Sequence, residues 1–207
     1  MTNVLKISEN VEDIKLNKCV LLKNLISADL CKFLSVQAEF DELEANKVNA
    51  SQVVGSTELY DSTATKITNS IVLGKLRNIL KLQSVYTTYG FYRKYYKYQE
   101  LTKHVDRPEC ELSVSICLDM FDADKPWEIL FENTEQNIIY SAKPQISDAV
   151  VYKGMELPHW REKCEQAWVK QVFLHFTFNK ELEFDLKNKP NYELDKLTKT
   201  FIKLLTE

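Results

Sequence analysis

His104 and Asp106 are the two residues of this chain whose types and spacing first suggest chemistry. Both belong to the tripeptide His-Val-Asp, between two segments with the composition of β-strands. In an extended segment, residues two apart point to the same face, so the imidazole and the carboxylate are expected to face a common space. Two imidazoles and one carboxylate on one side of an ion form the facial arrangement that suits Fe(II) and oxygen chemistry. The pair is therefore a candidate metal site that needs one more imidazole.

The third ligand has few candidates, because the chain contains three histidines, His104, His159 and His175. The interval between Asp106 and His159 accommodates about four short strands, enough for a late strand to return beside an early one. His175 lies in the apolar run VFLHF, where a hydrogen-bonded buried histidine is the better expectation. A lone His-x-Asp pair is also common on protein surfaces, so the metal hypothesis depends on the elements around it.

Those elements predict a β-rich fold with flanking helices. Residues 18–23 predict a strand, 27–40 and 61–82 predict helices by the spacing of their apolar residues, and the polar stretch 41–60 predicts a loop. Short strand-like runs separated by turns follow from 85 to 180, with no helical segment between them. This pattern favours an antiparallel double-sheet jelly roll over a parallel α/β sheet. Apolar residues at helical spacing predict a C-terminal helix within 190–207, namely Leu194, Leu197, Phe201 and Leu204.

The length and the even composition predict a single domain over residues 1–207. Its parts would be a supporting N-terminal strand and helices (1–82), a jelly-roll core (83–180) and a C-terminal helix (181–207). Hydrophobic residues make up 44% of the chain, which is typical of a folded globular protein. The net charge of -3 disfavours a protein whose main partner is a nucleic acid.

The cysteines and the hydropathy indicate the compartment. The five cysteines are odd in number and form no C-x-x-C pair, so we expect reduced thiols. No stretch resembles a signal peptide or reaches the roughly 18 consecutive apolar residues of a membrane span. These features predict a cytoplasmic protein with no membrane partner.

The order of the motifs resembles the Fe(II)- and 2-oxoglutarate-dependent oxygenases, in particular their prolyl-4-hydroxylase-like branch. The resemblance covers about residues 20 to 178 and is most specific at 93–118 and 147–176. It implies a double-stranded β-helix, which is a jelly roll, with helices packed outside the larger sheet. The matching features are Lys94-Tyr95, Leu101, the pair His104 and Asp106, the turn Ser147-Asp148-Ala149, His159 and the closing strand QVFLHF.

The resemblance also implies a set of ligands. His104, Asp106 and His159 would bind Fe(II), with 2-oxoglutarate as cosubstrate and O2 as oxidant. Tyr95 aligns with a tyrosine that, in prolyl-hydroxylase-like members, hydrogen-bonds the distal carboxylate of 2-oxoglutarate. A tyrosine-rich strand is equally good ordinary β sequence, so Tyr95 also has a purely structural interpretation.

The cation for that distal carboxylate departs from the family pattern, because Val169 occupies its usual position. Arg161 is the first candidate, since it lies two residues after His159, should share its inward face, and can hold a carboxylate through two hydrogen bonds. Lys170, next to Val169, is the second. Either cation could instead form a surface ion pair with a neighbouring glutamate.

The implied activity is a dioxygenase that hydroxylates an unactivated C–H bond of a peptidyl proline or of an amino-acid-like substrate, with succinate and CO2 as co-products. The substrate depends on the pocket rather than on the fold, so a small molecule or a peptide is expected as the partner. Arg107 either holds a substrate carboxylate or pairs with Glu109 or Glu111. The alternative is a non-catalytic jelly-roll binding or structural protein with a vestigial metal site. A cupin-type metal enzyme is disfavoured, because the chain has no His-x-His pair.

Overall fold

Two β-sheets form the body of the computed structural model, which describes residues 3–44 and 52–182. The six-stranded sheet contains, in spatial order, β2 (Cys19–Leu22), β9 (Ala149–Tyr152), β6 (Leu112–Met120), β11 (Trp168–Thr177), β4 (Tyr86–Tyr96) and β3 (Thr57–Tyr60). The five-stranded sheet contains β1 (Asn3–Lys6), β8 (Ile138–Ala142), β7 (Ile129–Asn133), β10 (His159–Arg161) and β5 (Leu101–His104). Neighbouring strands are antiparallel except β1 and β8, which are parallel.

Two long helices cover the outer face of the six-stranded sheet. They are α2 (Ala28–Glu44) and α3 (Thr63–Ile79); a short α1 (Ile14–Asn17) precedes β2. The hydroxyl of Ser27 accepts a hydrogen bond from the Leu30 amide at 3.2 Å, and that of Ser62 accepts one from the Thr65 amide at 3.2 Å. Both helices therefore begin with a capped first turn, as the sequence predicted for the helix after Ser27.

The alternation of β11 separates the two sides of the larger sheet. Val172 and Leu174 face the helices and belong to the outer core, whereas Val169 and Phe173 face the space between the sheets. The far end of that space is filled by residues from both sheets, for example Phe131 of β7 with other apolar side chains of β2 and β9. The fold is thus mainly β with helices on its larger sheet, which confirms the predicted fold class.

The predicted loop over 41–60 is wrong at both ends. Helix α2 continues to Glu44, and Thr57–Tyr60 forms β3, which pairs with β4 at the edge of the larger sheet. Strand β3 lacks the usual alternation of apolar and polar residues, because its single buried residue is the charged Glu58. Strand β1 was also missed, since all four of its residues are exposed and carry no apolar alternation. The predicted C-terminal helix lies outside the described residues.

The other expectations concern the membrane and the thiols. None of the helices in the described part of the chain combines the length and the apolar character of a membrane-spanning segment. All five cysteines are buried and free, as expected for reduced thiols. Burial raises the pKa of Cys19 and of Cys110 to about 12, so both are protonated at neutral pH.

Candidate active site

His104 and His159 meet because β5 and β10 are neighbours in the smaller sheet. His104 ends β5, His159 begins β10, and the two residues are direct partners in the antiparallel register. Their ring centroids are 4.3 Å apart. His159 is buried and its ring packs against Tyr152 of β9 and Phe131 of β7, at centroid distances of 4.8 and 5.8 Å. Sheet pairing therefore brings together two imidazoles that are far apart in sequence.

Asp106 completes a cluster of three possible ligands. Its Oδ1 lies 3.7 Å from Nε2 of His104 and 3.6 Å from Nε2 of His159. The Asp106 amide donates to the carbonyl of Gly154 at 2.9 Å, which fixes the backbone after β5. One donor atom from each residue lies within 4.8 Å of the others, so a single ion can reach all three.

Hydrogen bonds prepare both imidazoles as ligands. Nδ1 of His104 lies 2.7 Å from the carbonyl of Thr102, and Nδ1 of His159 lies 2.9 Å from the carbonyl of Leu157. A carbonyl only accepts, so each Nδ1 carries the hydrogen and each Nε2 presents a lone pair toward Asp106. Burial, opposed in part by Asp106, lowers the pKa of His159 to about 4, and this imidazole is neutral at neutral pH. Two imidazoles that present Nε2 and one carboxylate suit a divalent transition metal with open positions.

Arg161 places a buried positive charge in the same interior. It lies two residues after His159 on β10, is 1% exposed, and donates from one Nη to the carbonyl of Trp127 at 2.7 Å. Within residues 3–44 and 52–182, its Nε and its other Nη have no hydrogen-bond partner. Burial lowers the pKa of Arg161, because the charged form is poorly solvated there. A guanidinium in this state has unused donors for an anion.

Tyr95 offers a second donor next to this guanidinium. It is fully buried on β4, and its ring meets Trp127 edge-on at 4.9 Å. The Trp127 ring also lies 4.9 Å from the Arg161 guanidinium, so one indole contacts both side chains. The Tyr95 hydroxyl oxygen accepts from Arg93 at 3.1 Å. Among the described residues this hydroxyl donates to no acceptor, so its hydrogen is available to a ligand.

Comparison with known proteins identifies the fold and leaves the sequence family open. No family model and no curated protein sequence matches the chain. Among solved structures, a 2-oxoglutarate-Fe(II) oxygenase family oxidoreductase from Burkholderia pseudomallei matches with a TM-score of 0.68 at 11% identity, over 86% of this chain and 96% of that one. A Pseudomonas putida prolyl-4-hydroxylase matches with a TM-score of 0.61 at 13% identity, over 80% and 96%. HygX from Streptomyces hygroscopicus, bound to nickel, 2-oxoglutarate and hygromycin B, matches with a TM-score of 0.60 at 9% identity, over 81% and 86%.

The fold is that of the 2-oxoglutarate- and Fe(II)-dependent oxygenases. The resemblance seen in the sequence, including that to the prolyl-4-hydroxylase-like branch, is confirmed at the level of the fold. In this oxygenase fold, the cluster of His104, Asp106 and His159 lies between the two sheets of the double-stranded β-helix.

Lys170, the second candidate for the carboxylate cation, lies on the face of β11 that is turned away from the space between the sheets. Its ammonium group donates to Ser35 at 2.8 Å and pairs with Glu39, both on α2. Val169 faces inward instead, as strand alternation requires. Lys170 is therefore engaged by side chains of helix α2, whereas Arg161 lies in the same interior as the candidate metal ligands.

Arg107 directly follows Asp106 and is exposed. Its guanidinium is 4.9 Å from the Tyr89 ring centroid, and no carboxylate within the described ranges lies at ion-pair distance from it. Glu111 instead accepts from the Phe178 amide at 2.7 Å. Of the two roles left open by the sequence, the ion pair with Glu109 or Glu111 is not formed.

Two residues around Asp106, Ser113 and Gly154, were missed by the sequence reasoning, whereas His175 is the buried, hydrogen-bonded histidine that the sequence predicted. Ser113 donates to Oδ2 of Asp106 at 2.8 Å, and Nδ1 of His175 lies 2.9 Å from the Ser113 hydroxyl. The absence of a side chain at Gly154 leaves room for Asp106 and Ser113, since a Cβ at residue 154 would lie 2.2 Å from Oδ2 of Asp106. The two serines on the inward face of the buried strand β6, Ser113 and Ser115, were the available signal. Asp106, Cys110 and His175 are also close enough to share an ion, but Ser113 already bridges the carboxylate and the imidazole.

Proposed function

We propose that this chain is a non-haem Fe(II)- and 2-oxoglutarate-dependent dioxygenase that hydroxylates an unactivated C–H bond. His104, Asp106 and His159 would hold Fe(II), and Arg161 would hold the distal carboxylate of 2-oxoglutarate with help from Tyr95. The observation that carries the proposal is the buried guanidinium of Arg161, two of whose nitrogens have no partner among the described residues and which lies near a set of possible metal ligands. A bound divalent cation would not explain why the positively charged Arg161 is buried nearby. A dicarboxylate would, because one end could bind the metal ion and the other could pair with Arg161.

The spacing along β10 supports this assignment. His159 and Arg161 are two residues apart on the same buried face, which corresponds to about 7 Å along the strand. That span suits a five-carbon dicarboxylate that contacts the metal through one end and the guanidinium through the other. Arg161 can hold the distal carboxylate through its two unpaired nitrogens, and a paired charge in a buried site is far less costly than an isolated one.

The residues around the site would bind, orient and exclude water. The bonds of Nδ1 to the carbonyls of Thr102 and Leu157 keep both imidazoles in the tautomer that presents Nε2. Aromatic side chains close the space around His159 and Arg161, namely Trp127, Phe131 and Tyr152. When bound, Fe(II) would activate O2, which is the oxidant, and 2-oxoglutarate would supply two of the four electrons that O2 takes up. The balance is one C–H bond, O2 and 2-oxoglutarate consumed, and one C–OH group, succinate and CO2 formed.

For the substrate, we propose a peptidyl proline or an amino-acid-like molecule. The Pseudomonas protein of similar fold is a prolyl-4-hydroxylase, and the HygX structure contains hygromycin B, so proteins of this fold are associated with chemically different partners. Arg107 beside Tyr89 is an exposed cation without an ion-pair partner in the described part of the chain, and it fits a substrate carboxylate. The cytoplasmic location stays a prediction.

The decisive experiment tests the metal and the cosubstrate together. Anaerobic Fe(II) and 2-oxoglutarate should give a visible charge-transfer band, and Mn(II) with 2-oxoglutarate at about 100 times its Kd should stabilise the fold by about 2.7 kcal/mol. His104→Ala and Asp106→Ala should abolish both signals. Lys170→Met, on the other face of the sheet, is the matched control and should retain them. If the unaltered protein shows neither signal, the chain is a non-catalytic jelly-roll protein.

Substrate identity is tested by succinate release. Proline-containing peptides and free amino acids are added to the aerobic Fe(II) protein, with Asp106→Ala as the blank. At least one compound should raise succinate formation above the rate without substrate and should gain one oxygen atom by mass spectrometry. Equal rates with every compound would contradict the proposed substrate class while leaving the cosubstrate assignment intact.

A further inference from the structure

The two carboxylate oxygens of Asp106 have different surroundings. Oδ1 faces the two imidazoles, at 3.7 and 3.6 Å from their Nε2 atoms. Oδ2 accepts a hydrogen bond from the hydroxyl of Ser113 at 2.8 Å. One oxygen is thus directed to the metal cluster, and the other is already held by the protein.

The hydrogen bond from Ser113 is itself fixed by His175. The two residues are register partners on β6 and β11, and Nδ1 of His175 lies 2.9 Å from the Ser113 hydroxyl oxygen. Because that hydroxyl gives its single hydrogen to Asp106, it must accept from His175, which therefore carries its hydrogen on Nδ1. His175 is 3% exposed and its ring lies 4.6 Å from the Tyr89 ring. The chain from His175 through Ser113 to Asp106 has a single direction of donation.

Gly154 closes this arrangement from the other side. A Cβ at residue 154 would lie 2.2 Å from Oδ2 of Asp106 and 2.7 Å from the Ser113 hydroxyl. The carbonyl of Gly154 also accepts from the Asp106 amide at 2.9 Å. The carboxylate is therefore restrained at its backbone and at Oδ2, with Oδ1 free toward the imidazoles.

We infer that Ser113 and His175 are positioning residues that make Asp106 a ligand through one oxygen. A carboxylate can bind a cation through one oxygen or through both. The facial arrangement needs one oxygen, because a second would take a position that 2-oxoglutarate or O2 requires. The hydrogen bond from the hydroxyl of Ser113 keeps Oδ2 of Asp106 from binding the metal, and His175 orients that hydroxyl. This inference rests on the proposed function and extends it to two residues that do not touch the metal.

Mn(II) affinity tests the role of Ser113. The dissociation constant is measured by titration with Mn(II) alone, followed by the paramagnetic signal of free Mn(II). Ser113→Ala should weaken binding about 10- to 100-fold, the usual effect of losing a partner of a metal ligand. Ser115→Ala is the matched control, because Ser115 is also buried on β6, two residues further along the same face. It should bind Mn(II) as tightly as the unaltered chain.

A pair of His175 variants separates orientation from packing. In His175→Asn the amide nitrogen takes the place of Nδ1 and can still donate to Ser113, whereas in His175→Gln it reaches the place of Nε2. We expect His175→Asn to retain most of the Mn(II) affinity and His175→Gln to lose it. The same order should appear in the anaerobic Fe(II) and 2-oxoglutarate absorption band, which a change in packing alone would not shift.

The outcomes distinguish this inference from the proposed function. If the unaltered chain binds no Mn(II), the proposed function fails. If it binds Mn(II) but Ser113→Ala binds equally well, or Ser115→Ala loses as much, the positioning role of Ser113 is overturned. If the Asn and Gln variants of His175 behave alike, the role of His175 is overturned.

Discussion

Arg93 and Arg161 are both buried between the sheets, yet their surroundings differ. Arg93 on β4 is 2% exposed, pairs with Glu58 of β3 and donates to Gln52 and to Tyr95, each at 3.1 Å. Arg161 is 1% exposed, donates one hydrogen bond to the carbonyl of Trp127 and contacts the ring of the same tryptophan. No carboxylate of the described residues pairs with it. One guanidinium is neutralised by the fold and the other is not.

This difference separates a structural ion pair from a ligand site. A buried charge without a counter-ion costs several kcal/mol of folding free energy, even after relaxation of the surroundings. The Arg93 region avoids this cost with Glu58, and the Arg161 region would avoid it only with a bound anion. We therefore expect the two regions to respond in opposite ways to substitution, and the predictions below test that contrast.

The largest effect is expected at the neutralised pair. Glu58→Gln keeps the size of the side chain but leaves Arg93 without a counter-ion, and it should lower the free energy of unfolding by about 3 to 5 kcal/mol. Urea unfolding of the ligand-free protein measures this. The control is Glu39→Gln at the partly exposed pair with Lys170, which should cost less than about 1 kcal/mol. Equal losses in the two variants would remove the contrast.

Arg161→Met should have the reverse profile. It should weaken 2-oxoglutarate binding to the Mn(II) form by about 2 to 5 kcal/mol, because the distal carboxylate loses its buried partner. The ligand-free protein should be as stable as the unaltered chain or more stable by about 1 to 4 kcal/mol, since an unpaired buried charge is gone. Calorimetric titration and urea unfolding measure the two quantities. A large loss of stability with retained affinity would show that Arg161 is structural.

The pH dependence of stability extends the comparison to a buried imidazole. Burial lowers the pKa of His175 from 6.5 to about 4, opposed in part by nearby Asp106 and assisted by Arg107 and His159. As the pH falls below 6.5, the unfolded chain takes up a proton that the folded chain refuses, so stability is present above that value and is lost toward pH 4.

This histidine should therefore account for about 2 kcal/mol of the metal-free stability lost between neutral pH and about pH 5. His175→Asn removes the titrating group, and its urea-unfolding free energy should fall less over the same pH range. Identical pH profiles for the two proteins would contradict the assignment.

Tyr95→Phe sharpens the contrast between the arginines, because the Tyr95 hydroxyl accepts a hydrogen bond from Arg93 and is proposed to bind the same carboxylate as Arg161. Removing it should weaken 2-oxoglutarate binding about tenfold, which matches the loss of one hydrogen bond to a charged group. The Mn(II) affinity should not change. Unchanged affinity for 2-oxoglutarate would assign the hydroxyl to Arg93 alone.

Lys170→Met should have the smallest effect on the site. Its ammonium group faces α2 and not the interior, so the affinity for 2-oxoglutarate should stay within about twofold of the unaltered value, below what one lost hydrogen bond causes. The same titration measures it. A loss as large as that of Arg161→Met would reverse the choice between the two cations.

Much of the fold followed from local sequence pattern. The alternation in β6, the strand-like composition of β11, the apolar periodicity of α2 and α3 and the cap at Ser27 predicted a β-rich fold with helices on one sheet. The exceptions were two strands, β1 and β3, that lack the usual alternation of apolar and polar residues. The edge strand β3 turns a charged residue inward to meet Arg93, and β1 is exposed throughout. Burial of an ion pair is a property of two distant segments, so neither one predicts it alone.

The sequence by itself determined which residues share a face. The spacing of His104 and Asp106, and that of His159 and Arg161, required only the two-residue period of extended chain. The tertiary structure decided which faces meet. Pairing of β5 with β10 places His159 opposite His104, and packing of helix α2 on the larger sheet pairs Lys170 with Glu39. The physical reason is that periodicity is local, whereas the order of strands in a sheet depends on long-range pairing that no short segment encodes.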